Sequence, residues 1–162
     1  ITNTLSWKGF DMSVFLLLLY GNDVFNGSRL FLESLQGGDN QLAVVNDRWQ
    51  TPGDITAIPD ATSDPVRAAN NNRVSSRFIE DGSYLRIKNL TVGYTFKKYI
   101  TQKLKINNLR LYISSQNLFT FTNYSGLDPE VNYIGNNNSI IGTDFFTYPQ
   151  ARSFIAGLNL TF

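Results

Sequence analysis

The feature that most constrains this chain is a two-residue alternation of apolar or aromatic side chains with small or polar ones. It recurs in five stretches, which cover residues 2–7, 10–20, 84–96, 108–121 and 152–162. Gly, Asn, Asp and Pro, the usual turn residues, are frequent in the segments between them. Because successive side chains of a strand point to opposite faces, this period predicts five antiparallel β-strands and an all-β fold.

The last stretch shows the alternation most clearly. One of its faces carries Phe154, Ala156, Leu158, Leu160 and Phe162, and the other carries Ser153, Gly157, Asn159 and Thr161, interrupted by Ile155. The second stretch places Phe10, Met12, Val14, Leu16, Leu18 and Tyr20 on one face. Its other face, which should be polar, contains Phe15, Leu17 and Leu19.

The connections between the stretches alternate in length. Short turns at 8–9 and 97–107 are separated by long connections at 21–83 and 122–151. Barrels of the bacterial outer membrane have short periplasmic turns and long outer loops. The pattern therefore predicts periplasmic turns at 8–9 and 97–107 and extracellular loops at 21–83 and 122–151. Asparagine runs such as Asn70–Asn72 and Asn136–Asn138 indicate solvated loops.

Composition excludes several functions. The chain has no Cys and no His, which excludes a disulfide scaffold and histidine-based or cysteine-based catalysis. A net charge of +1 lacks the basic excess that a non-specific nucleic-acid binder needs, so we expect no nucleic-acid partner. No pair of facing carboxylates is evident in the strands, and we expect no catalytic site, no cofactor and no enzyme activity.

Two charged segments have a structural explanation. Asp128 and Glu130 in GLDPEV could supply calcium ligands, as could Asp39, Asp47, Asp54, Asp60 and Asp64, but the spacing fits no calcium loop. Pro129 instead favours a turn capped by aspartate within a solvated loop, so we expect no metal site. The turn 97–107 contains Lys97, Lys98, Lys103 and Lys105 and no acid, which is typical of a solvated basic turn.

Five strands do not make a closed membrane protein. The longest apolar run, Val14–Leu19, is far shorter than the roughly 20 residues of a transmembrane helix, whereas a membrane strand needs only about 9–11. An open sheet edge leaves backbone groups unpaired in hydrocarbon, and about eight strands form the smallest common barrel. We therefore expect residues 1–162 to be a C-terminal barrel fragment, with any signal peptide upstream of Ile1 or missing.

Four ordered segments carry a family resemblance. They are SWKGFDMSVFLLLLYGNDVFNGSR (6–29), SSRFIEDGSYLRIKNLTVGYTF (75–96), LRLYISSQNLFTFTNYSGLDPEV (109–131) and YPQARSFIAGLNLTF (148–162). Together they resemble the C-terminal region of SusC/RagA-like TonB-dependent outer-membrane transporters of the Bacteroidota. The resemblance implies a barrel of about 22 strands, closed by an N-terminal plug domain that this chain lacks.

The resemblance also implies a function and partners. Such transporters import nutrients, either an oligosaccharide or glycan or a peptide, across the outer membrane. They act with a SusD-like surface lipoprotein, and the TonB–ExbB–ExbD complex drives them through the missing N-terminal part. Phe15, Leu17 and Leu19 depart from the expected polar lining, and two explanations stay open: contact with the plug, or a break in the strand phase.

Two further groups of side chains have predicted roles. Phe154, Leu158, Leu160 and Phe162 resemble the C-terminal signal read by the barrel-assembly machinery, and the plainer alternative is a lipid-facing strand. Aromatic girdles at the headgroup level would contain Tyr94, Phe96 and Phe162 at the periplasmic rim and Phe145, Phe146 and Tyr148 at the outer rim, next to lipid and lipopolysaccharide. An alternative for the outer aromatics is stacking on sugar rings. No substrate-binding residue is assigned.

A soluble, secreted β-sandwich that binds glycans or adhesion partners is the main alternative function. A passive porin is a third. The sandwich would bury two apolar surfaces across a core about 10 Å thick, whereas a barrel would expose them to lipid. The side chains that distinguish the two are Leu90, Val92, Tyr94, Leu158, Leu160 and Phe162.

Overall fold

The chain forms two compact units in a computed structural model that describes residues 1–103, 105–133 and 141–162. The first unit contains Ile1–Tyr20, Ser83–Asn123 and Pro149–Phe162, and the second contains Gly21–Gly82 and Tyr124–Tyr148. The asparagine run Asn136–Asn138 and residue Leu104 of the basic turn lie outside the described residues. The residues between the predicted strands thus supply the second unit.

The first unit contains a five-stranded antiparallel sheet in the order β1-β2-β5-β6-β8. Its strands are β1 (Thr2–Trp7), β2 (Phe10–Leu19), β5 (Tyr84–Thr95), β6 (Asn108–Thr122) and β8 (Ser153–Thr161). Each strand end lies within one residue of the end that the alternation predicts. The period-2 pattern therefore locates the sheet because each of these segments has one apolar and one more polar face.

The β1–β2 connection is a tight hairpin. Trp7 pairs with Phe10, and the two residues between them, Lys8 and Gly9, both have positive φ, at 47° and 95°. This backbone is typical of a type I′ turn, whose twist matches that of the flanking strands. The Thr95 amide donates to the Gly9 carbonyl at 2.8 Å, so the hairpin turn lies beside the end of β5.

The β5–β6 connection, predicted as a simple turn, contains the short helix α3 (Lys98–Lys103). The Ile106 amide donates to the Thr101 carbonyl at 3.0 Å, and the Asn107 amide donates to the Thr161 carbonyl at 2.7 Å. These two bonds hold the connection against the end of β8. Over its described residues, the basic turn is therefore held in place at the end of the sheet where β5 ends and β6 begins.

The pairing of β5 is irregular at Lys88 with both of its neighbours, and against β2 the irregularity is a β-bulge. Phe15 and Leu16 of β2 are consecutive, yet they pair with Asn89 and Ile87 of β5, which leaves Lys88 as the extra residue. A bulge shifts the alternation of the strand that contains it. Ile87 and Leu90 therefore share a face, although three positions separate them.

The second unit is built around a three-stranded sheet in the order β4-β3-β7. Its strands are β3 (Asp23–Asn26), β4 (Ile79–Asp81) and β7 (Thr143–Asp144), with helices α1 (Ser28–Leu32) and α2 (Pro65–Asn71) and 3₁₀-helices at Ala43–Asp47 and Ser76–Phe78. Asp64 caps α2 by accepting from the Val66 and Arg67 amides, and Pro65 begins the helix.

The second unit has its own buried core. Val24, Tyr124 and Val131 form its buried cluster, and Ile58 and Phe78 are buried as well. The expectation that the long connections are solvated loops is wrong for these residues, because they are buried. The period-2 pattern did not reveal this unit because its strands are only two to four residues long.

Candidate functional site

One face of the five-stranded sheet is apolar from β2 to β8. The strand register aligns Val92 with Ile113 and Ala156, and Tyr94 with Leu111 and Leu158. The face contains Phe10, Met12, Val14, Leu16 and Leu18 of β2, Leu85, Ile87, Leu90, Val92 and Tyr94 of β5, Leu109, Leu111, Ile113, Phe119 and Phe121 of β6, and Phe154, Ala156, Leu158 and Leu160 of β8.

Many side chains of this apolar face are exposed. The exposed fraction is 62% for Ile113 and 56% for Leu158, and Val92 and Leu160 are exposed as well. Leu90 and Tyr94 are half-buried. A continuous exposed apolar surface of this kind is typical of contact with lipid or with another protein. The exposure favours the barrel over the sandwich, which would bury the same side chains.

The opposite face contains an ion pair between strands that are not neighbours. Arg110 of β6 donates from Nε to Oδ1 of Asp11 at 2.9 Å and from Nη2 to Oδ2. Asp11 lies on β2, and β5 runs between the two strands. Arg110 crosses β5 at Gly93, where an added Cβ would lie only 2.5 Å from Arg110 Nη2. The absence of a side chain at Gly93 therefore makes this ion pair possible.

Further hydrogen bonds continue along this polar face. The Thr91 and Ser114 hydroxyl oxygens are 2.8 Å apart, and Arg86 Nε donates to the Thr120 hydroxyl at 2.9 Å. The Tyr112 ring lies over Gly157, where an added Cβ would meet it at 2.5 Å. The sheet is thus amphipathic, with most of its hydrogen-bonding side chains on one face and a largely apolar surface on the other.

Three apolar side chains of β2 lie on this polar face. Phe15, Leu17 and Leu19 pair with Asn89, Arg86 and Tyr84. The bulge belongs to β5, and β2 itself alternates without interruption. A broken phase in β2 is therefore the wrong explanation for these residues.

The proposed assembly residues lie on and beside β8. Phe154, Leu158 and Leu160 pair with Ser115, Leu111 and Leu109, which places all three on the apolar face. Phe162 follows the last residue of β8 and is 83% exposed. The arrangement is that of a regular edge strand of this sheet, with an aromatic residue after it.

The predicted girdle aromatics have different surroundings. Tyr94 and Phe96 lie at the end of β5, with ring centroids 5.1 Å apart. Phe145 belongs to the second unit, where its ring centroid is 5.9 Å from that of Phe25 and 5.1 Å from that of Tyr133. Packing inside the second unit is a role for Phe145 that the sequence did not predict. Phe146 and Tyr148 are exposed.

A four-residue ionic network lies in the second unit. Glu33 accepts from Arg29 Nε at 2.6 Å and from Arg77 Nη2 at 2.9 Å, and Arg29 Nη1 donates to Glu80 Oε1 at 2.9 Å. The Glu33 side chain is only 2% exposed. Two guanidinium groups face two carboxylates, so the network balances its own charge. This balance is required because an unpaired charge at such burial is costly.

Glu80 links this network to a distant segment. Its carboxylate accepts from the Ser125 amide at 2.9 Å, the Ser125 hydroxyl at 2.8 Å and Asn26 Nδ2 at 3.1 Å. Burial acts to raise the pKa of Glu80, but the hydrogen bonds from Ser125, Arg29 and Asn26 outweigh it and lower the pKa below its usual value. Ionised Glu80 therefore joins the segment before β5 to the one after β6.

A second buried pair is formed by Tyr124 and Asp144. The Tyr124 hydroxyl donates to Asp144 Oδ2 at 2.6 Å, and the Thr147 amide donates to Asp144 Oδ1 at 2.9 Å. Burial, and then the hydrogen bond to Asp144, raises the pKa of Tyr124 far above its ordinary value. The phenol is therefore a permanent donor at physiological pH.

A cavity of about 240 Å³ adjoins these groups within the second unit. Its lining includes Arg29, Leu32, Leu42, Asp144 and Phe146. Sequence reasoning missed both this cavity and the ionic network. Their residues are scattered along the chain, with a separation of 51 positions from Arg29 to Glu80, and no local spacing indicates that they meet.

Several of the acids considered as calcium ligands have partners within the protein. Asp128 is buried, and its Oδ1 accepts from the Glu130 amide at 2.9 Å, as expected of a capped turn but not of a solvated loop. Asp54 accepts from the Gln50 and Thr51 amides, and Asp60 pairs with Arg67 at 2.5 Å. Over the described ranges, no three acidic, histidine or cysteine side chains are grouped as a metal site would need.

Within the part of the chain that the structure describes, no helix combines the length and apolarity needed to cross a membrane.

Comparison with known proteins gives matches over almost the whole chain. No protein-family model matches. TonB-dependent receptor P3 of Formosa agariphila is 38% identical over 99% of the chain, and TonB-dependent receptor SusC of Bacteroides thetaiotaomicron is 30% identical over all of it. The chain spans about 16% and 15% of these two proteins.

Solved structures give the same result. The RagAB peptide importer in its open-open state matches 97% of the chain with a TM-score of 0.75 and 26% identity, over 16% of that protein. The closed-closed state matches 99% of the chain with a TM-score of 0.75 and 25% identity, over 17% of that protein. The chain is thus similar in fold to one part of a much larger protein.

Proposed function

Because this chain belongs to the SusC/RagA-like TonB-dependent receptors, as a C-terminal part of one, we propose that it forms wall and outer loops of an outer-membrane importer. The observation that carries the proposal is the amphipathic sheet. Its apolar face, with Ile113 and Leu158 exposed, has the chemistry of a surface in acyl chains. Its polar face, with Arg110 and Asp11, has the chemistry of a barrel interior.

The proposed orientation follows from the connections. The turns at 8–9 and 97–107 face the periplasm, and the connections 21–83 and 122–151 leave the strands on the extracellular side. Closing the barrel requires further strands from the rest of the protein, because β1 and β8 are the two edge strands of this sheet. Phe15, Leu17 and Leu19 then face the interior and pack against the plug domain.

The relatives support a proposal for the cargo and the partners. One relative is named SusC, and the matched structure is of a peptide importer. We propose that the whole protein imports an oligosaccharide or a peptide, that a SusD-like surface lipoprotein contacts the second unit, and that the TonB–ExbB–ExbD complex drives transport through segments outside this chain.

The end of the chain has a proposed role in biogenesis. Phe154, Leu158, Leu160 and Phe162 present an alternating edge strand followed by an aromatic residue, which suits recognition by the barrel-assembly machinery. Tyr94 and Phe96 form part of the periplasmic aromatic girdle, and Phe146 and Tyr148 are exposed as outer girdle residues would be.

The experiment is a transport assay on the complete protein in its own bacterium. A strain lacking the gene is complemented with the full-length gene, and uptake of labelled oligosaccharide and peptide pools is measured with and without a protonophore. We expect uptake of one pool to require both the gene and the proton gradient. Uptake that survives the protonophore would support a passive porin, and a full-length protein found in the soluble fraction would support the secreted sandwich.

A further inference from the structure

We propose that the end of the sheet formed by the β1–β2 and β5–β6 turns binds the headgroups of anionic phospholipids. We call this surface the basic rim. It contains the exposed lysines Lys8, Lys97, Lys98, Lys103 and Lys105 and the exposed aromatics Trp7, Tyr99 and Phe162. The inference rests on the proposed function, which places this end at the membrane surface.

The lysines are held in one region by backbone contacts. The Gly9 carbonyl accepts from the Thr95 amide at 2.8 Å, which sets Lys8 beside the segment that begins with Lys97. The Asn107 amide donates to the Thr161 carbonyl at 2.7 Å, which fixes the other end of the turn to β8. The positive charges are therefore gathered by the fold.

These charges lack acidic partners within the described chain. Residues 95–108 contain no Asp or Glu, and no ion pair is formed by any lysine of the basic rim with the described residues. Asp11, the acid on β2 near this end, is already paired with Arg110. The lysines of the basic rim thus give this surface a positive electrostatic potential, which attracts anionic groups.

The aromatic side chains identify the partner as a lipid. Trp7 is 68% exposed and Tyr99 is 62% exposed, and Lys8 Nζ lies 4.9 Å from the centroid of the Trp7 ring. Tryptophan and tyrosine settle at headgroup depth, where one part of the ring is in hydrocarbon and the other in water. Lysine beside them meets the headgroup phosphate, and clustered lysines favour lipids with net negative charge.

The test uses the full-length transporter purified in detergent. Native mass spectrometry counts phosphatidylglycerol and phosphatidylcholine retained by the parent protein and by the variant Lys97→Glu/Lys98→Glu. The matched control is Arg73→Glu/Arg152→Glu, which changes the charge equally at exposed sites away from the basic rim. Since each lysine beside anionic lipid contributes severalfold to binding, we expect roughly a ten-fold loss of phosphatidylglycerol in the lysine variant.

Several outcomes would overturn the proposal. The lysine variant could retain as much phosphatidylglycerol as the parent, or the arginine control could lose as much as the lysine variant. The parent could retain phosphatidylcholine as well as phosphatidylglycerol, or inorganic phosphate at millimolar concentration could displace the lipid. Heat-modifiable migration on a gel reports folding, and Lys97→Gln/Lys98→Gln replaces the reversal if that variant does not fold. A correctly inserted, transporting protein without lipid preference would refute only the basic rim.

Discussion

Arg110 on β6 reaches Asp11 on β2 across the intervening strand, and it does so over the backbone of Gly93. The relationship ties together three strands of the polar face through two charged side chains and one missing side chain. The ion pair therefore depends on Gly93, because a Cβ at that position would occupy the space of the Arg110 guanidinium.

The substitution Gly93→Ala should therefore displace the ion pair without unfolding the sheet, because the Arg110 guanidinium is the far end of a flexible side chain. We expect Asp11→Asn to lower the thermal midpoint of the full-length barrel in the parent but to change it little in Gly93→Ala. As a control, Thr120→Ala, near the other end of the sheet, should combine additively with Asp11→Asn. Additive effects of Gly93→Ala and Asp11→Asn would contradict the crossing geometry.

Glu33 should be the most sensitive member of the ionic network, because its side chain is 2% exposed and faces both Arg29 and Arg77. Glu33→Gln leaves two guanidinium groups with one carboxylate and should destabilise the second unit by about 3 kcal/mol. Hydrogen exchange of residues 21–82 in the full-length protein measures this, and Asp39→Asn, at an exposed acid, is the matched control. Unchanged protection in Glu33→Gln would show that the network contributes nothing to stability.

The lowered pKa of Glu80 predicts acid sensitivity of the same unit. A carboxyl with a depressed folded pKa stabilises fully above its unfolded pKa, near 4.3, and that stabilisation is lost as pH falls towards the folded value. Limited digestion by an acid protease should thus cut the second unit increasingly below about pH 4.3. At about pH 5, where an acid protease is still active, Glu80→Gln should be cut more readily than the parent, and its digestion should depend less on pH. If Glu80→Gln had the same pH profile of digestion as the parent, Glu80 would not be the cause of the acid sensitivity.

Tyr124 predicts the opposite dependence at alkaline pH. Its raised pKa means that the neutral phenol stabilises below the unfolded pKa, near 10, and that this contribution is lost as pH rises above it. Tyr124→Phe should cost about 1–2 kcal/mol through the lost bond to Asp144 and should reduce the alkaline dependence. Tyr133→Phe, at an exposed tyrosine, should change neither quantity. A similar effect of both substitutions would point to lost packing instead.

Phe162 tests the proposed assembly signal. Deleting it, or making Phe162→Asp, should lower the amount of heat-modifiable, folded transporter in the outer membrane, whereas Phe162→Tyr should preserve it because the terminal aromatic is retained. Immunoblots of outer-membrane fractions measure the yield. Yields equal to that of the parent in all three variants would show that Phe162 is not part of an assembly signal.

The sheet was predictable because its information is local. Alternation within each stretch assigns Leu158 and Leu160 to one face without knowledge of any neighbour, and the register agrees. The bulge at Lys88 was not predictable, since it depends on the pairing of β5 with both β2 and β6. Without it, Ile87 and Leu90 would fall on opposite faces.

The second unit was not predictable for a related reason. Asn26 contacts Ser125 across 99 positions, and Glu33 contacts Arg77 across 44. Contacts of that separation depend on the chain being brought together by the sheet and have no periodic signature. The exposed lysines of the basic rim were visible as a run without acids, but their position beside Lys8 required the Thr95–Gly9 contact.

The central claim is that the apolar face of the sheet meets acyl chains and the polar face meets water. Single cysteines at Leu111 and Leu158 on one face, and at Tyr112 and Asn159 on the other, measure it directly. They are introduced into a full-length protein from which any cysteine outside this chain has been removed, because this chain contains none. In native membranes, fluorescent labels attached at Leu111→Cys and Leu158→Cys should be quenched by acyl-chain probes. The same cysteines without a label should react slowly with a water-soluble thiol reagent. Labels at Tyr112→Cys and Asn159→Cys should escape that quenching. Rapid aqueous labelling at Leu111→Cys and Leu158→Cys, with no quenching from lipid, would contradict the account.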